Sequence, residues 1–192
     1  MSKVKVAFLG TGGIAPKHSR RANKRDDVEP VGLSDVDAER VSAFAEREFG
    51  ESSFNPKVYT DAAAMYRETQ PDAVVICTPN HTHGQMTLAA VRAGKHVLVT
   101  KPMEASLAAC DAIIRAAASR DLVLAVDSSR RDETGPLTLR KAVRDGRLGR
   151  LLSGEASLKI LRTMDYFRAN GGWSGTRRWD GGGVLSNQNI HH

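Results

Sequence analysis

Residues 3–15 read KVKVAFLGTGGIA, and this stretch decides the fold of the first part of the chain. It opens with a short apolar run, Lys3–Leu9, which predicts a buried β-strand. It ends in Gly10-Thr11-Gly12-Gly13-Ile14-Ala15, a G-x-G-x-x-A pattern, and a helix is predicted over Ile14–Arg25. A strand, a glycine-rich turn and a helix in this order are typical of the phosphate-binding turn of dinucleotide-binding folds.

The small residues of this turn suit a bound dinucleotide. Gly10 permits the tight turn, Gly12 lets the backbone approach the pyrophosphate, and Ala15 allows the helix to pack closely on the strand. The helix N-terminus offers unpaired N–H groups and a partial positive charge to the phosphates. We therefore predict cofactor contacts at Gly10, Gly12, Gly13, Ile14 and Ala15. The alternative is a glycine-rich turn that binds nothing.

Strand-like and helix-like segments alternate through the first 126 residues. The further predicted strands are Val28–Leu33, Lys57–Thr60, Ala73–Cys77, His96–Val99 and Leu122–Val126. The predicted helices between them are Asp37–Phe49, 61–69, Gly84–Ala93 and 106–119. This alternation predicts an α/β fold of the Rossmann type, a doubly wound parallel sheet.

The composition changes after Val126, where a polar segment begins. A helix is predicted over Leu137–Asp145, Leu151–Leu161 is strand-like, and the chain is rich in glycine from Asn170 onward. We place the domain boundary near residue 127, with a dinucleotide-binding domain over residues 1–126 and the beginning of a second domain over residues 127–192. The second segment is too short to bury the face of a sheet by itself.

The composition is that of an ordinary globular protein, with 41% apolar and 26% charged residues in a chain of 192. There is no run of about 18 apolar residues and no signal peptide, and Cys77 and Cys110 are expected to be buried thiols. We therefore expect a cytoplasmic protein. The net charge is +6, but basic residues alternate with acidic ones and aromatic residues make up only 5%, which argues against nucleic-acid binding.

Asp35 stands at the end of the second predicted strand, twenty residues beyond Ala15. A carboxylate there accepts hydrogen bonds from the adenosine ribose and repels the extra phosphate of NADP, so NAD is the predicted cofactor and NADP the less favoured one. The alternative is that Asp35 caps the next helix, although Asp37 is the better cap candidate. Arg40 would weaken the discrimination between the two cofactors.

Thr78-Pro79-Asn80-His81-Thr82-His83 follows a predicted buried strand, at the strand end where open α/β sheets bind ligands. We predict that Thr78, Pro79, Asn80 and His83 lie beside the nicotinamide riboside. His81 and His83 would also suit a metal ion, but no third ligand with suitable spacing accompanies them, so no metal site is predicted.

A lysine–proline pair, Lys101-Pro102, follows the next strand, and with it the chain resembles the Gfo/Idh/MocA family, named for glucose–fructose oxidoreductase and inositol dehydrogenase. The resemblance extends over nearly the whole chain and is carried by Gly10–Ala15 with His18, Ser34–Asp37, Thr78–His83, Ala93–Pro102 and residues 181–191.

The resemblance implies a two-domain NAD(P)-dependent oxidoreductase that moves a hydride between nicotinamide and a secondary alcohol of a sugar, inositol or related polyol. It also implies an α+β second domain that shapes the substrate site, a homo-oligomer, and no membrane partner. Two alternatives stay open. One is an NAD-dependent relative that cleaves glycosides, and the other is a cofactor-binding module or fragment without turnover.

Three catalytic candidates follow from the resemblance. The lysine of the family's Glu-Lys-Pro motif corresponds to Lys101, and its Asp-x-x-x-His pair corresponds to Asn187 and His191. Alcohol oxidation needs a base within reach of the hydroxyl, and His191 is the predicted proton acceptor. Lys101 is predicted to lie beside the nicotinamide, where it contacts the cofactor and polarises the reacting oxygen. Asn187 can orient a hydroxyl or the histidine but cannot take a proton.

The chain departs from the family pattern at three positions and in its length. Thr100 replaces the glutamate before Lys101, Asn187 replaces the aspartate, and Asn189 stands where glycine is common. The chain is also about half as long as a two-domain relative. The short length is explained by a fragment, by a short stand-alone protein, or by a partner that supplies the missing sheet.

Trp173 and Trp179 flank a glycine- and arginine-rich segment, Gly175-Thr176-Arg177-Arg178. Aromatic rings stack on sugar faces and arginines bind phosphate or carboxylate, so the segment is either a substrate loop for an anionic or nucleotide-linked sugar or a purely structural loop.

Overall fold

The computed structural model describes residues 2–157, 159–180 and 183, and its first part contains one six-stranded sheet. The strands are β1 (Val4–Leu9), β2 (Val28–Ser34), β3 (Lys57–Tyr59), β4 (Ala73–Ile76), β5 (His96–Thr100) and β6 (Leu124–Asp127). Their order in the sheet is β3-β2-β1-β4-β5-β6, and β1 pairs in parallel with both β2 and β4. The predicted doubly wound Rossmann-type sheet is therefore confirmed.

Helices pack on both faces of the sheet, because successive side chains of a strand point to opposite sides. The helices of this part are α1 (Ala15–Ala22), α2 (Ala38–Phe49), α3 (Ala62–Thr69), α4 (His83–Arg92) and α5 (Leu107–Ala118). On one face, Ala7 and Leu9 of β1 belong to a buried cluster with residues of α3, α4 and α5. On the other face, Val6 and Phe8 belong to a cluster with α1 and α2.

The register of the strands brings their carboxyl ends into one row. Leu9 of β1 is paired with Ser34 of β2 and Ile76 of β4, and Ile76 is paired in turn with Val99 of β5. The strand order reverses between β1 and β4, which is the position where open α/β sheets bind ligands. The residues that follow these four strand ends therefore share one edge of the sheet.

The chain divides into two compact units between Val126 and Asp127. The described part of the second unit contains the helices α6 (Thr134–Arg144), α7 (Met164–Arg168) and α8 (Arg177–Asp180). Its described residues include no buried apolar side chain. Within the described ranges of the whole chain, no helix is long and apolar enough to cross a membrane.

The prediction of a strand over residues 151–161 is wrong for the residues that are described there. Residues 151–157 and 159–161 have no regular secondary structure. The apolar pattern suited a strand, but a strand also needs a neighbouring strand to bond its backbone groups. The described part of the second unit supplies none, since all six strands belong to the sheet of the first unit.

Candidate cofactor and active site

Gly10 allows the turn after β1 to pack closely against the end of β4. Its φ is +86°, a conformation that favours glycine, and a Cβ atom there would lie 2.7 Å from the Thr78 nitrogen and 2.8 Å from the Cys77 carbonyl carbon. The Gly10 N–H donates to the Ser34 carbonyl oxygen at 2.8 Å. The turn can therefore lie against the end of β4 only because residue 10 has no side chain.

The next two glycines face open space. A Cβ atom at Gly12 or Gly13 would meet nothing within 4 Å, and both residues are exposed. Ile14 is the N-cap of α1 and supplies no side-chain hydrogen bond, and the first turn of α1 contains no acidic residue. Ala15 is fully buried under the turn. These features fit a pyrophosphate, which needs room above the backbone and N–H groups not already bonded to a side chain.

Asp35 connects the end of β2 to the glycine-rich turn through hydrogen bonds. Its Oδ2 atom accepts from the Thr11 N–H at 2.8 Å and from the Thr11 hydroxyl at 2.9 Å. Its Oδ1 atom accepts from the Asp37 N–H at 3.2 Å and lies 3.4 Å from an Arg40 guanidinium nitrogen. The carboxylate is thus a buried acceptor beside the turn, and the sequence did not indicate its bond to Thr11.

The helix after β2 is capped by Asp37, not by Asp35. The Asp37 side chain accepts from the Arg40 N–H at 3.0 Å and forms an ion pair with the Arg40 guanidinium at 3.1 Å. Half of the Arg40 side chain is exposed. Arg40 thus places a positive charge beside Asp35, at the position where an adenosine ribose is expected.

The segment after β4 turns from the strand into α4. Thr78 is half-buried, Pro79 is exposed and Asn80 is buried, and the Thr82 hydroxyl donates to the Thr78 hydroxyl oxygen at 2.7 Å. Among the described residues, no group of three or more histidine, cysteine, aspartate or glutamate side chains could hold a metal ion.

His83 is fully buried at the start of α4. Its Nδ1 lies 2.6 Å from the Pro102 carbonyl oxygen, and its Nε2 lies 2.8 Å from the Thr78 carbonyl oxygen and 3.3 Å from the Thr100 hydroxyl. Burial lowers the pKa of His83, although its contacts with the two carbonyl groups act in the opposite direction. The structure thus places His83 behind the strand ends, bonded to both neighbours of Lys101.

Lys101 is half-buried at the carboxyl end of β5, beside the end of β4. The segment that follows it is held by Glu104, whose Oε2 accepts from the Gly84 N–H at 3.0 Å. A Cβ atom at Gly84 would displace that same oxygen, so a side chain there requires the Glu104 carboxylate to move. No pattern in the sequence indicated Glu104, since its partner lies twenty residues away.

The remaining predicted residues lie elsewhere in the chain. Asn187 and His191 are outside the described residues. In the second unit, the Gly175 N–H donates to the buried Asp180 carboxylate at 2.9 Å, and Arg178 lies over the Trp179 ring at 5.8 Å from its centre. Arg177 and Arg178 are exposed at the start of α8.

Comparisons with known proteins agree with this architecture. The family model described as "Oxidoreductase family, NAD-binding Rossmann fold" matches residues 4–128. Myo-inositol 2-dehydrogenase of Thermotoga maritima is 28% identical over 171 residues, which are 88% of this chain and 50% of the relative. D-glucoside 3-dehydrogenase of Escherichia coli is 31% identical over 195 residues, 99% of this chain and 52% of the relative.

A solved structure is similar over nearly the whole chain. The WlbA dehydrogenase of Bordetella pertussis, in complex with NADH and UDP-GlcNAcA, superposes with a TM-score of 0.83 at 25% identity, over 99% of this chain and 53% of that one. The chain thus spans about half the length of the relatives that it matches. With the NAD-binding family model covering the whole six-stranded sheet, the chain belongs to the Gfo/Idh/MocA family of oxidoreductases.

Proposed function

We propose that the protein is an NAD-dependent dehydrogenase that transfers a hydride between nicotinamide and a secondary alcohol of a sugar, an inositol or a related polyol. The observation that carries the proposal is the row of strand ends, which brings the glycine-rich turn, Asp35, Thr78 and Lys101 to one edge of the sheet. We assign residues 1–126 to cofactor binding and residues 127–192 to the substrate side.

The cofactor contacts follow from position along that edge. Gly10, Gly12, Gly13, Ile14 and Ala15 receive the pyrophosphate at the start of α1. Asp35 is assigned to the adenosine ribose. Its carboxylate offers about four acceptor sites, which already receive two bonds from Thr11, one from Asp37 and one from Arg40. A ribose hydroxyl would therefore replace the longest of them, the 3.4 Å contact with Arg40. Thr78, Pro79 and Asn80 lie next to Lys101 on the β4 side and are assigned to the nicotinamide half. We assign His83 to the support of that half rather than to direct contact, because it is fully buried.

Side chains of the protein then orient the alcohol and accept its proton. Bound NAD supplies the hydride acceptor, and the protein must orient the alcohol and remove its hydroxyl proton. Lys101 donates a hydrogen bond to the reacting oxygen, His191 takes the hydroxyl proton, and Asn187 orients the hydroxyl or the histidine without exchanging a proton. In the reverse direction His191 returns the proton to the same oxygen.

The test is calorimetric titration of the chain with NADH and NADPH, followed by a screen of sugars and polyols for NADH absorbance. We expect NADH to bind, Asp35→Ala to weaken NADH more than NADPH, and Lys101→Ala to keep NADH binding while losing any turnover. Binding without turnover in the unmodified chain would favour the alternative of a cofactor-binding module, and absence of NADH binding would refute the proposal.

A second substrate class is favoured by one set of observations. WlbA of Bordetella pertussis, whose structure contains UDP-GlcNAcA, is similar over 99% of the chain, and the chain carries exposed Arg177 and Arg178 beside Trp179. Guanidinium groups bind carboxylate and phosphate, and an aromatic ring stacks on a sugar. A nucleotide-linked sugar with a carboxylate therefore belongs in the same screen, and Arg177→Ala should weaken it but leave neutral polyols unaffected.

We also propose that the protein is a cytoplasmic homo-oligomer. The resemblance implies the homo-oligomer, and the composition and the cysteines expected as free thiols favour the cytoplasm. Light scattering coupled to size-exclusion chromatography tests the oligomer, and a single monomeric peak at micromolar concentration would contradict it.

A further inference from the structure

We propose that His83 is a positioning residue for Lys101, which it holds at the edge of the sheet by bonding both of its neighbours in the chain. The inference rests on the role proposed above for Lys101. It goes beyond that role because it assigns the placement of the lysine to a residue on a different element, eighteen positions earlier in the sequence.

The contacts of the imidazole enclose Lys101 from both sides. The Thr100 hydroxyl lies 3.3 Å from Nε2, and the Pro102 carbonyl oxygen lies 2.6 Å from Nδ1. The single proton of the neutral ring can lie on Nδ1, so that Nδ1–H donates to the Pro102 carbonyl oxygen and Nε2 accepts from the Thr100 hydroxyl. The Thr78 carbonyl oxygen, 2.8 Å from Nε2, is then a packing contact with the end of β4 and not a hydrogen bond. One side chain therefore bonds both neighbours of Lys101 and packs against the end of β4.

Burial makes the contacts of His83 with Thr100 and Pro102 rigid. His83 has no exposed surface, Thr100 is 6% exposed, and Pro102 is buried as well. A closely packed ring has no free volume in which to rotate, and hydrogen bonds in such an environment are stronger than bonds exposed to water. Fixing residues 100 and 102 fixes the direction in which the Lys101 side chain leaves the backbone. Since His83 is inaccessible, it can act on a ligand only through these neighbours.

A second hydrogen bond, between Gly84 and Glu104, also attaches the start of α4 to the segment after Lys101. The Glu104 carboxylate accepts from the Gly84 N–H at 3.0 Å and from the Ala105 N–H at 2.7 Å. His83 and Gly84 are the first residues of α4, so the first turn of this helix holds the chain immediately before, immediately after and three residues after Lys101. The family glutamate is replaced by Thr100 here, and the Thr100 hydroxyl is the group through which His83 reaches that side.

The proposal is tested by the chemical reactivity of Lys101. The 192-residue chain is labelled with trace acetic anhydride, and the acetylation rate of Lys101 relative to exposed Lys24 is measured by mass spectrometry, with and without NADH. We compare His83→Leu, His83→Gln and Thr100→Val with the unmodified chain. Thr100→Val removes one hydroxyl contact with little change in volume. It therefore tests the contact between His83 and Thr100 even where a substitution of His83 fails to fold.

The control is Thr87→Val, one turn further along α4. Thr87 is also fully buried, and its hydroxyl has no hydrogen-bond partner among the described residues. We expect His83→Leu to raise the relative labelling rate of Lys101 at least threefold, Thr100→Val to raise it less, His83→Gln to restore it in part, and Thr87→Val to leave it unchanged.

The outcomes separate this proposal from the proposed function. Unchanged Lys101 labelling in folded Thr100→Val, or in either folded His83 variant, would overturn the positioning role while NADH binding by the unmodified chain persists. Faster labelling that Thr87→Val reproduces would also overturn it, because a general loosening of α4 would then be the cause. Absence of NADH binding in the unmodified chain would refute the proposed function instead.

Discussion

Gly10 is the residue on which the turn after β1 depends, and Gly94 offers a matched comparison. Both have positive φ, +86° and +74°, but a Cβ atom would collide with residues 77 and 78 at Gly10 and would meet nothing within 4 Å at Gly94. An alanine at positive φ costs about 1–2 kcal/mol from its conformation alone. We expect Gly94→Ala to cost about 1 kcal/mol and Gly10→Ala clearly more, with loss of NADH binding. Urea denaturation and NADH titration check this, and equal destabilisation of both variants would contradict the collision.

His83 predicts how stability changes with pH. Burial lowers its pKa in the folded protein below the ordinary value of 6.5, so below pH 6.5 the unfolded chain binds a proton that the folded chain resists. The free energy of unfolding should therefore fall, through this group, as the pH falls from 7 toward 5. The measurement is urea denaturation at several pH values, where His83→Gln should lose less stability over this range than the unmodified chain. Parallel pH profiles would show that His83 does not contribute.

At the scale of elements, a buried carboxylate joins α1 to α2. Glu48 of α2 accepts from Arg20 of α1 at 2.9 Å and from Arg47 at 2.9 Å, and its side chain is 2% exposed. Burial raises the pKa of Glu48, but the hydrogen bonds and charges of the two arginines outweigh this, and the pKa lies below its ordinary value of 4.5. The charged form is therefore the stabilising one.

Replacing this carboxylate should weaken the contact between the two helices. We expect Glu48→Gln to lower the free energy of unfolding at pH 7 by about 1 kcal/mol, a modest value because solvent screens the largely exposed arginines. The difference from the unmodified chain should shrink as the pH falls below 4.5, since the folded carboxylate then gains its proton. Glu46→Gln, on the exposed face of α2, is the control for both measurements by chemical denaturation. A constant difference down to pH 3 would contradict the role of the charge.

At the scale of the whole molecule, the two units differ in how much they bury. Residues 1–126 contain both buried clusters, whereas the described residues from 127 onward bury no apolar side chain. Protease access follows local unfolding, which is easiest where few apolar contacts hold the chain.

Limited proteolysis should therefore distinguish the units. We expect trypsin to cut after arginines and lysines between Arg130 and Arg178 before it cuts after those in the first unit, and to leave a fragment of about 130 residues that still binds NADH. Mass spectrometry of the time course identifies the sites. Early cleavage between Lys17 and Arg25 would contradict the expected order.

The amino-acid sequence by itself determined the elements of the first unit and the kind of ligand they suit. Alternating apolar segments predicted all six strands, and the turn from Gly10 to Ala15 predicted a dinucleotide-binding fold, because periodicity and glycine placement reflect the local environment of each residue. The same local signal was wrong for residues 151–161, where an apolar pattern has no neighbouring strand among the described residues.

Only the tertiary structure decided how the strand ends are joined. The bonds from Thr11 to Asp35, from His83 to Pro102 and from Gly84 to Glu104 connect residues 24, 19 and 20 positions apart. Each of these bonds depends on which strands are neighbours and on their register, and a local pattern contains neither. The sequence could therefore name Asp35, His83 and Lys101, but only the pairing of β1, β2, β4 and β5 shows which side chains hold them in place.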